Sequence, residues 1–156
     1  MAEFIAVADQ TIQPGASAVL FNANNFFPNY MFHDDGSSIV RLATLTNPWM
    51  TWGGCCCQNR MPMTVYPVAF HGNIAVPTGQ TVGEISMAIV NGGEIEQATI
   101  MRSTPAAVEE FNSIGTDILV AIPAICGCGS VAVRNTSTIP IILENAVLVV
   151  DPPTVR

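Results

Sequence analysis

Lysine is absent from this 156-residue chain, and its five basic residues are all arginines. Asp and Glu together number 12, so the net charge is -7, and no basic cluster offsets it. Neutralising a phosphate backbone takes Lys and Arg along one face, so direct nucleic-acid binding is not expected, and an anionic membrane surface is disfavoured for the same reason. A phosphate-cradling loop of the GxxxxGK[ST] type is excluded outright, since its lysine does not exist. No apolar run reaches the roughly 20 residues of a membrane helix. The N-terminus, MAEFIAVADQTIQPG, lacks both the basic start and the apolar core of a secretory signal. Charge of either sign is scarce, at 11% of residues against a usual figure of about 25%. So few charges imply that much of the surface is turned toward other chains.

Catalytic groups are equally thin. The two histidines, His33 and His71, lie far apart in the chain. His71 sits on the alternate face of a strand, where a hydrogen-bonded structural histidine is the expected reading. Glu94 and Glu96 share one face beside a turn, and Glu109–Glu110 lie together, but carboxylates in such places are ordinarily solvated. The expectation is a chain that is not an enzyme and carries no cofactor. The five cysteines fall in two clusters, Cys55, Cys56 and Cys57, then Cys126 and Cys128. The triplet lacks the CxxC spacing that puts two thiolates on one tetrahedral ion. Free buried thiols are the default expectation, with long-range or inter-chain pairing as the alternative. His33-Asp34-Asp35-Gly36 looks like a turn; it lacks the ligand count of a calcium loop.

What the chain does have is alternation with a period of two. Tyr66, Val68, Phe70, Ile74 and Val76 fall on one face of a run, with Pro67, Ala69, His71 and Asn73 on the other, which is the pattern of a half-buried strand. Pro77 and Gly79 end it. Ile85, Met87 and Ile89 then line a second run opposite Glu84, Ser86 and Ala88. Asn91-Gly92-Gly93 suits the positive φ angles of a tight hairpin, and Glu94 to Arg102 folds back on the second run. Further strands are expected at Ala18–Phe21, Ile39–Leu45, Asp117–Pro123, Gly129–Asn135, Ile139–Leu143 and Glu144–Val150. The one short helix expected begins at Ser103 or Thr104 with Pro105 in its first position and runs through Ala106 to Phe111.

Eight to ten short strands with turns between them favour an all-β antiparallel sandwich of jelly-roll type over a parallel sheet. The length suits one domain. Residues 1–17 read as an N-terminal arm or first strand and a candidate attachment element, 18–151 as the jelly roll, and 152–156 as a loose tail. Asp117–Pro123 and Glu144–Val150 are apolar on both faces, unlike an antiparallel strand with one wet side. Their second face is expected to meet another subunit, and Leu119, Ala121, Leu148 and Val150 are the candidates for the contact around a symmetry axis. Phe26, Phe27, Tyr30 and Phe32 cluster in a polar loop and are candidate ligand-facing aromatics.

The order of the segments YPVAFHGNIAVPTG, GEISMAIVNGGEI, STPAAVEEFN, TDILVAIPA, GSVAVRNTS and IILENAVLVV, covering roughly residues 64 to 150, resembles a group of phage-associated proteins with a tumour necrosis factor-like jelly roll. The resemblance implies a homotrimer on the outside of a bacteriophage capsid, as decoration or head-fibre protein. Its partners would be other virion proteins, the major capsid protein or a fibre, with the first 20 residues or so, or the 47–62 loop, as attachment element. The alternative is a carbohydrate- or receptor-binding module of a phage fibre or bacterial surface, recognising a host glycan through the aromatics above. A metal-dependent jelly-roll hydrolase would need several converging histidines, and two separated ones do not supply them.

Overall fold

The longest strand shows how this sequence folds. Alternating apolar and small or polar residues carry β6 (Met63–Ala75) through the middle of a sheet, with Tyr66, Phe70 and Ile74 fully buried and His71 on the exposed side. The computed structural model describes residues 1–23, 31–44, 63–123 and 128–155. Among them the remaining strands are β1 (Ala2–Ile5), β2 (Gln10–Ile12), β3 (Phe21–Asn22), β4 (Met31–Phe32), β5 (Val40–Ala43), β7 (Ile85–Asn91), β8 (Glu94–Ile95), β9 (Met101–Ser103), β10 (Asn112–Pro123), β11 (Cys128–Asn135), β12 (Ile141–Val150) and β13 (Thr154–Val155).

These strands make two antiparallel sheets. One has seven strands, in the order β10-β6-β12-β1-β3, with β13 added to β6 and β2 added to β12. The other has six, in the order β4-β5-β11-β7-β8, with β9 also on β7. Apart from the β4–β5 and β7–β8 hairpins, most neighbouring strands are distant in sequence, so the chain is a jelly-roll sandwich rather than a meander. Inward side chains of the two sheets form one core: Phe4, Phe70, Ile74, Leu143 and Leu148 from the first face Val40, Leu42, Met87, Ile89 and Val133 from the second. Ile122 crosses between the sheets and sits where a Cβ on Gly129 would come within 2.7 Å of it, which explains the missing side chain at 129. The Tyr66 hydroxyl, at the end of a fully buried ring, donates to the Ala43 carbonyl.

The hairpin at Asn91–Glu94 is the expected one. Gly92 and Gly93 have φ of 58° and 93°, the mirror-image turn that matches strand twist, and Asn91 pairs with Glu94 across it. The return strand is interrupted, however. β8 pairs with the end of β7, a single 3₁₀ turn (Gln97–Thr99) follows, and β9 resumes pairing at Ile85–Met87. Thr99 holds this break together: its buried hydroxyl receives the Ile89 N–H at 3.0 Å and donates to Glu96 O at 2.8 Å.

Two expectations are corrected and one alternative is decided. Residues 104–111 form turns and not a helix. The Glu110 carboxylate takes the N–H groups of Ala106 and Ala107 at 2.7 and 3.0 Å, and Glu109 sits at a φ of 60°, which breaks a right-handed helix. Of the two alternatives for residues 1–17 the chain takes the first strand and not the free arm: β1 pairs with both β12 and β3, β2 pairs with β12, and Phe4 is fully buried. Nor is the C-terminal segment loose, since Thr154 and Val155 pair with Val65 and Thr64.

A buried asparagine ties the N-terminal segment to the opposite sheet. Asn135 donates its side-chain N–H groups to Ile12 O (2.9 Å) and Ile139 O (3.0 Å), and its Oδ1 receives Ser137 N–H at 2.8 Å. Its backbone pairs with Gly15 and Ala16 as well. A fully buried amide is stable only when its polar atoms are satisfied, and these are.

Candidate functional site

The outward face of the seven-stranded sheet is where the apolar, charge-poor composition of the chain becomes visible. Register places Gly115, His71, Val147, Ile5 and Phe21 in one row across five strands. The next row is Asp117, Ala69, Val149 and Glu3, and beyond it Leu119 lies beside Pro67. Leu119 is 55% exposed and Phe21 36%. Leu119, Ala121, Pro67, Ala69, Val147, Val149 and Ile5 therefore form a sheet surface bordered by Asp117, Glu3, His71 and, one row further along, Glu144. Water gains nothing from such a face, and a partner that covers it gains the hydrophobic term.

The sequence placed Leu119 and Ala121 on this side, and both lie there, exposed. Leu148 and Val150 do not. Both are fully buried in the chain's own core, and their neighbours Val147 and Val149 point outward instead. The reason is a β-bulge between Glu144 and Val147, where Asn145 takes a φ of 49°. It resets the alternation of β12, so Ile141 and Leu143 face inward and then Ala146, Leu148 and Val150 do. Gly72 lies opposite; a Cβ there would meet Ala146 and Leu143 at 3.1 and 3.2 Å. Val147 and Val149 were the residues missed, and an asparagine within an apolar strand was the signal that could have found them.

His71 differs from the hydrogen-bonded histidine expected. It is exposed, no hydrogen bond from the described residues holds its ring, and the ring lies across the bare Cα of Gly115, where a Cβ would approach Nδ1 to 2.4 Å. His33 is the pinned one. Its Nδ1 lies 2.9 Å from Asn22 Oδ1, its Nε2 donates to Ser37 O at 3.2 Å, and its ring packs on Phe4 with centroids 4.9 Å apart. Glu94 and Glu96 do not form a pair: Glu94 is exposed, while Glu96 accepts from Asn91 Nδ2 at 3.1 Å. Glu109 accepts from the Thr78 hydroxyl. Among the described residues no three His, Cys, Asp or Glu side chains are grouped to hold a metal ion.

Of the candidate aromatics, Phe32 is 56% exposed on β4. Phe26, Phe27 and Tyr30 lie outside the described residues, as do Cys55, Cys56, Cys57, Cys126 and the 47–62 loop.

No protein-family model matches this chain, and no curated protein does. Its fold is that of a tumour necrosis factor-like jelly roll. The Eiger TNF from S. frugiperda superposes with a TM-score of 0.63 over 97% of this chain and 90% of that one, at 14% identity. A family 35 carbohydrate-binding module from Cellvibrio japonicus covers 99% of this chain and 96% of its own at a TM-score of 0.40 and 11% identity. Another from an environmental isolate reaches 0.41 at 9% identity, covering 100% and 96%. The last two overlap too loosely to argue from. The first shares the fold with this chain, and at its identity the likeness ends there.

Proposed function

We propose that this chain is a non-enzymatic structural module that assembles as a homotrimer through the outward face of its seven-stranded sheet and serves on the outside of a virion, as capsid decoration or head-fibre protein. The observation that carries the assembly is the apolar surface formed by Leu119, Ala121, Pro67, Ala69, Val147 and Val149. Among the described residues Leu119 and Ala121 are exposed and the other four half-buried, and closed symmetry lets every copy use the same face. Support for the virion location comes from the segment order between residues 64 and 150 and from the scarcity of charge.

Light scattering on the full chain at micromolar concentration is expected to give the mass of three copies. The variant Leu119→Glu/Val149→Glu should give the mass of one copy with an unchanged β-type circular dichroism spectrum. A single-copy mass for the unaltered chain overturns the assembly. Mass spectrometry of virions purified from the source culture tests the location: the chain is expected in the particles, and its recovery only in the free protein fraction overturns the virion role.

A further inference from the structure

The opposite sheet carries a cleft of about 330 Å³ that the proposed assembly does not use. Phe32, His33, Asp34, Ser37, Ile39 and Arg41 line it. It sits on the hairpin of β4 and β5 at the edge of the six-stranded sheet, where register sets Phe32 directly across from Arg41. Met31, Val40 and Leu42 fill the core beneath, so alternation turns Phe32, Ile39 and Arg41 outward together.

The wall of the cleft is fixed before any ligand arrives. Ser37 N–H bonds to Asp34 O at 2.8 Å, Gly36 N–H to Leu20 O at 3.0 Å, and Leu20 N–H to Ser37 O at 3.0 Å. Asp35 spends its carboxylate on Asn22 N–H at 2.9 Å, and His33 is held at both ring nitrogens. Asp34 and Arg41 differ: both are exposed, and among the described residues neither side chain has a hydrogen-bond or ion-pair partner, not even each other. A cation, an anion and an exposed aromatic ring thus border one small preformed cleft with their polar groups unspent.

We propose that this cleft binds an acidic saccharide, a sugar residue that carries a carboxylate. The volume falls at the small end of ligand sites, which suits a single ring rather than a folded peptide. The apolar C–H face of a pyranose lies on Phe32, its carboxylate takes the planar fork of Arg41, and a ring hydroxyl donates to Asp34. A neutral sugar would forgo the charged bond, and a simple anion would forgo both the ring contact and the hydroxyl bond to Asp34. Little order is lost on binding, because the turn is already locked. This inference does not rest on the trimeric reading, since the cleft is on the other sheet.

Calorimetric or NMR titration of the full chain with an oligomer of hexuronic acid, set against a neutral oligomer of the same linkage, tests it. The expected result is binding of the acidic oligomer at least about tenfold tighter than the neutral one. Arg41→Ala should erase that difference, Arg41→Lys should restore only part of it, and Phe32→Ala should weaken both ligands about tenfold or more. Phe32 and Arg41 are exposed, so both variants are expected to fold, which an unchanged melting curve verifies. Absence of binding overturns the proposal. So does equal binding of both oligomers, or binding that survives Arg41→Ala and Phe32→Ala, which would place the sugar elsewhere.

Discussion

Leu143 and Leu148 stand five residues apart on one strand, yet both are fully buried in the same core. Strict alternation would send them to opposite faces. The bulge at Asn145 brings them together, with its backbone at a φ of 49°.

That backbone predicts how position 145 tolerates change. Asn145→Gly is expected to be neutral within about 0.5 kcal/mol, since glycine reaches positive φ freely. Asn145→Val should cost about 1–2 kcal/mol, because its branched Cβ crowds the carbonyl in that conformation. Denaturant unfolding of the two variants checks the order; a valine as stable as the glycine would mean the bulge is absent in solution.

The neighbours Leu148 and Val149 should behave as opposites. Leu148→Ala removes packed core atoms and is expected to lower stability by about 2–5 kcal/mol. Val149→Glu should leave the fold of a single copy intact and reduce association instead. Thermal melting and sedimentation on the same two samples separate the effects.

Asn135 offers a test of the buried hydrogen bonds. Asn135→Ala strands the Ile12 and Ile139 carbonyls and the Ser137 N–H, and is expected to cost roughly 3 kcal/mol. Asn135→Asp should be worse at neutral pH. A buried carboxyl is held above its unfolded value of about 3.9, so the unfolded chain ionises first and stability falls as pH rises through and beyond that value. Unfolding at pH 3.5 and pH 7 is expected to show a smaller penalty, relative to the unaltered chain, at the lower pH.

The ion pair of Arg102 and Glu84, at 3.0 Å, has both side chains more than half exposed, at 62% and 55%. Water screens it well, so Arg102→Gln should change stability by less than about 0.5 kcal/mol. A loss above 1 kcal/mol in denaturant unfolding would contradict this.

Much of this was readable from residue order. The Tyr66 to Val76 face, the Ile85-Met87-Ile89 face and the Asn91-Gly92-Gly93 turn all stand as the alternation and the turn chemistry require. The helix at 104–111 failed because a two-turn segment has little helical stability of its own, and one Glu110 carboxylate binding two N–H groups was enough to favour turns. The outward face was half legible: Leu119 and Ala121 follow from alternation alone, whereas Val147 and Val149 depend on a backbone irregularity that a period of two cannot encode. The cleft at Phe32 and Arg41 was less legible still, because the two residues become neighbours only through strand pairing.

By itself the sequence determined the class of architecture and the chemistry kept out of it. Alternating apolar residues with Gly, Asn and Pro between them can bury a core only as paired strands, and a chain without lysine cannot build the GxxxxGK[ST] phosphate loop. Tertiary structure alone decided which side of each strand meets water. That choice depends on partners far away in the chain and on one residue in a left-handed conformation, so no local pattern carries it.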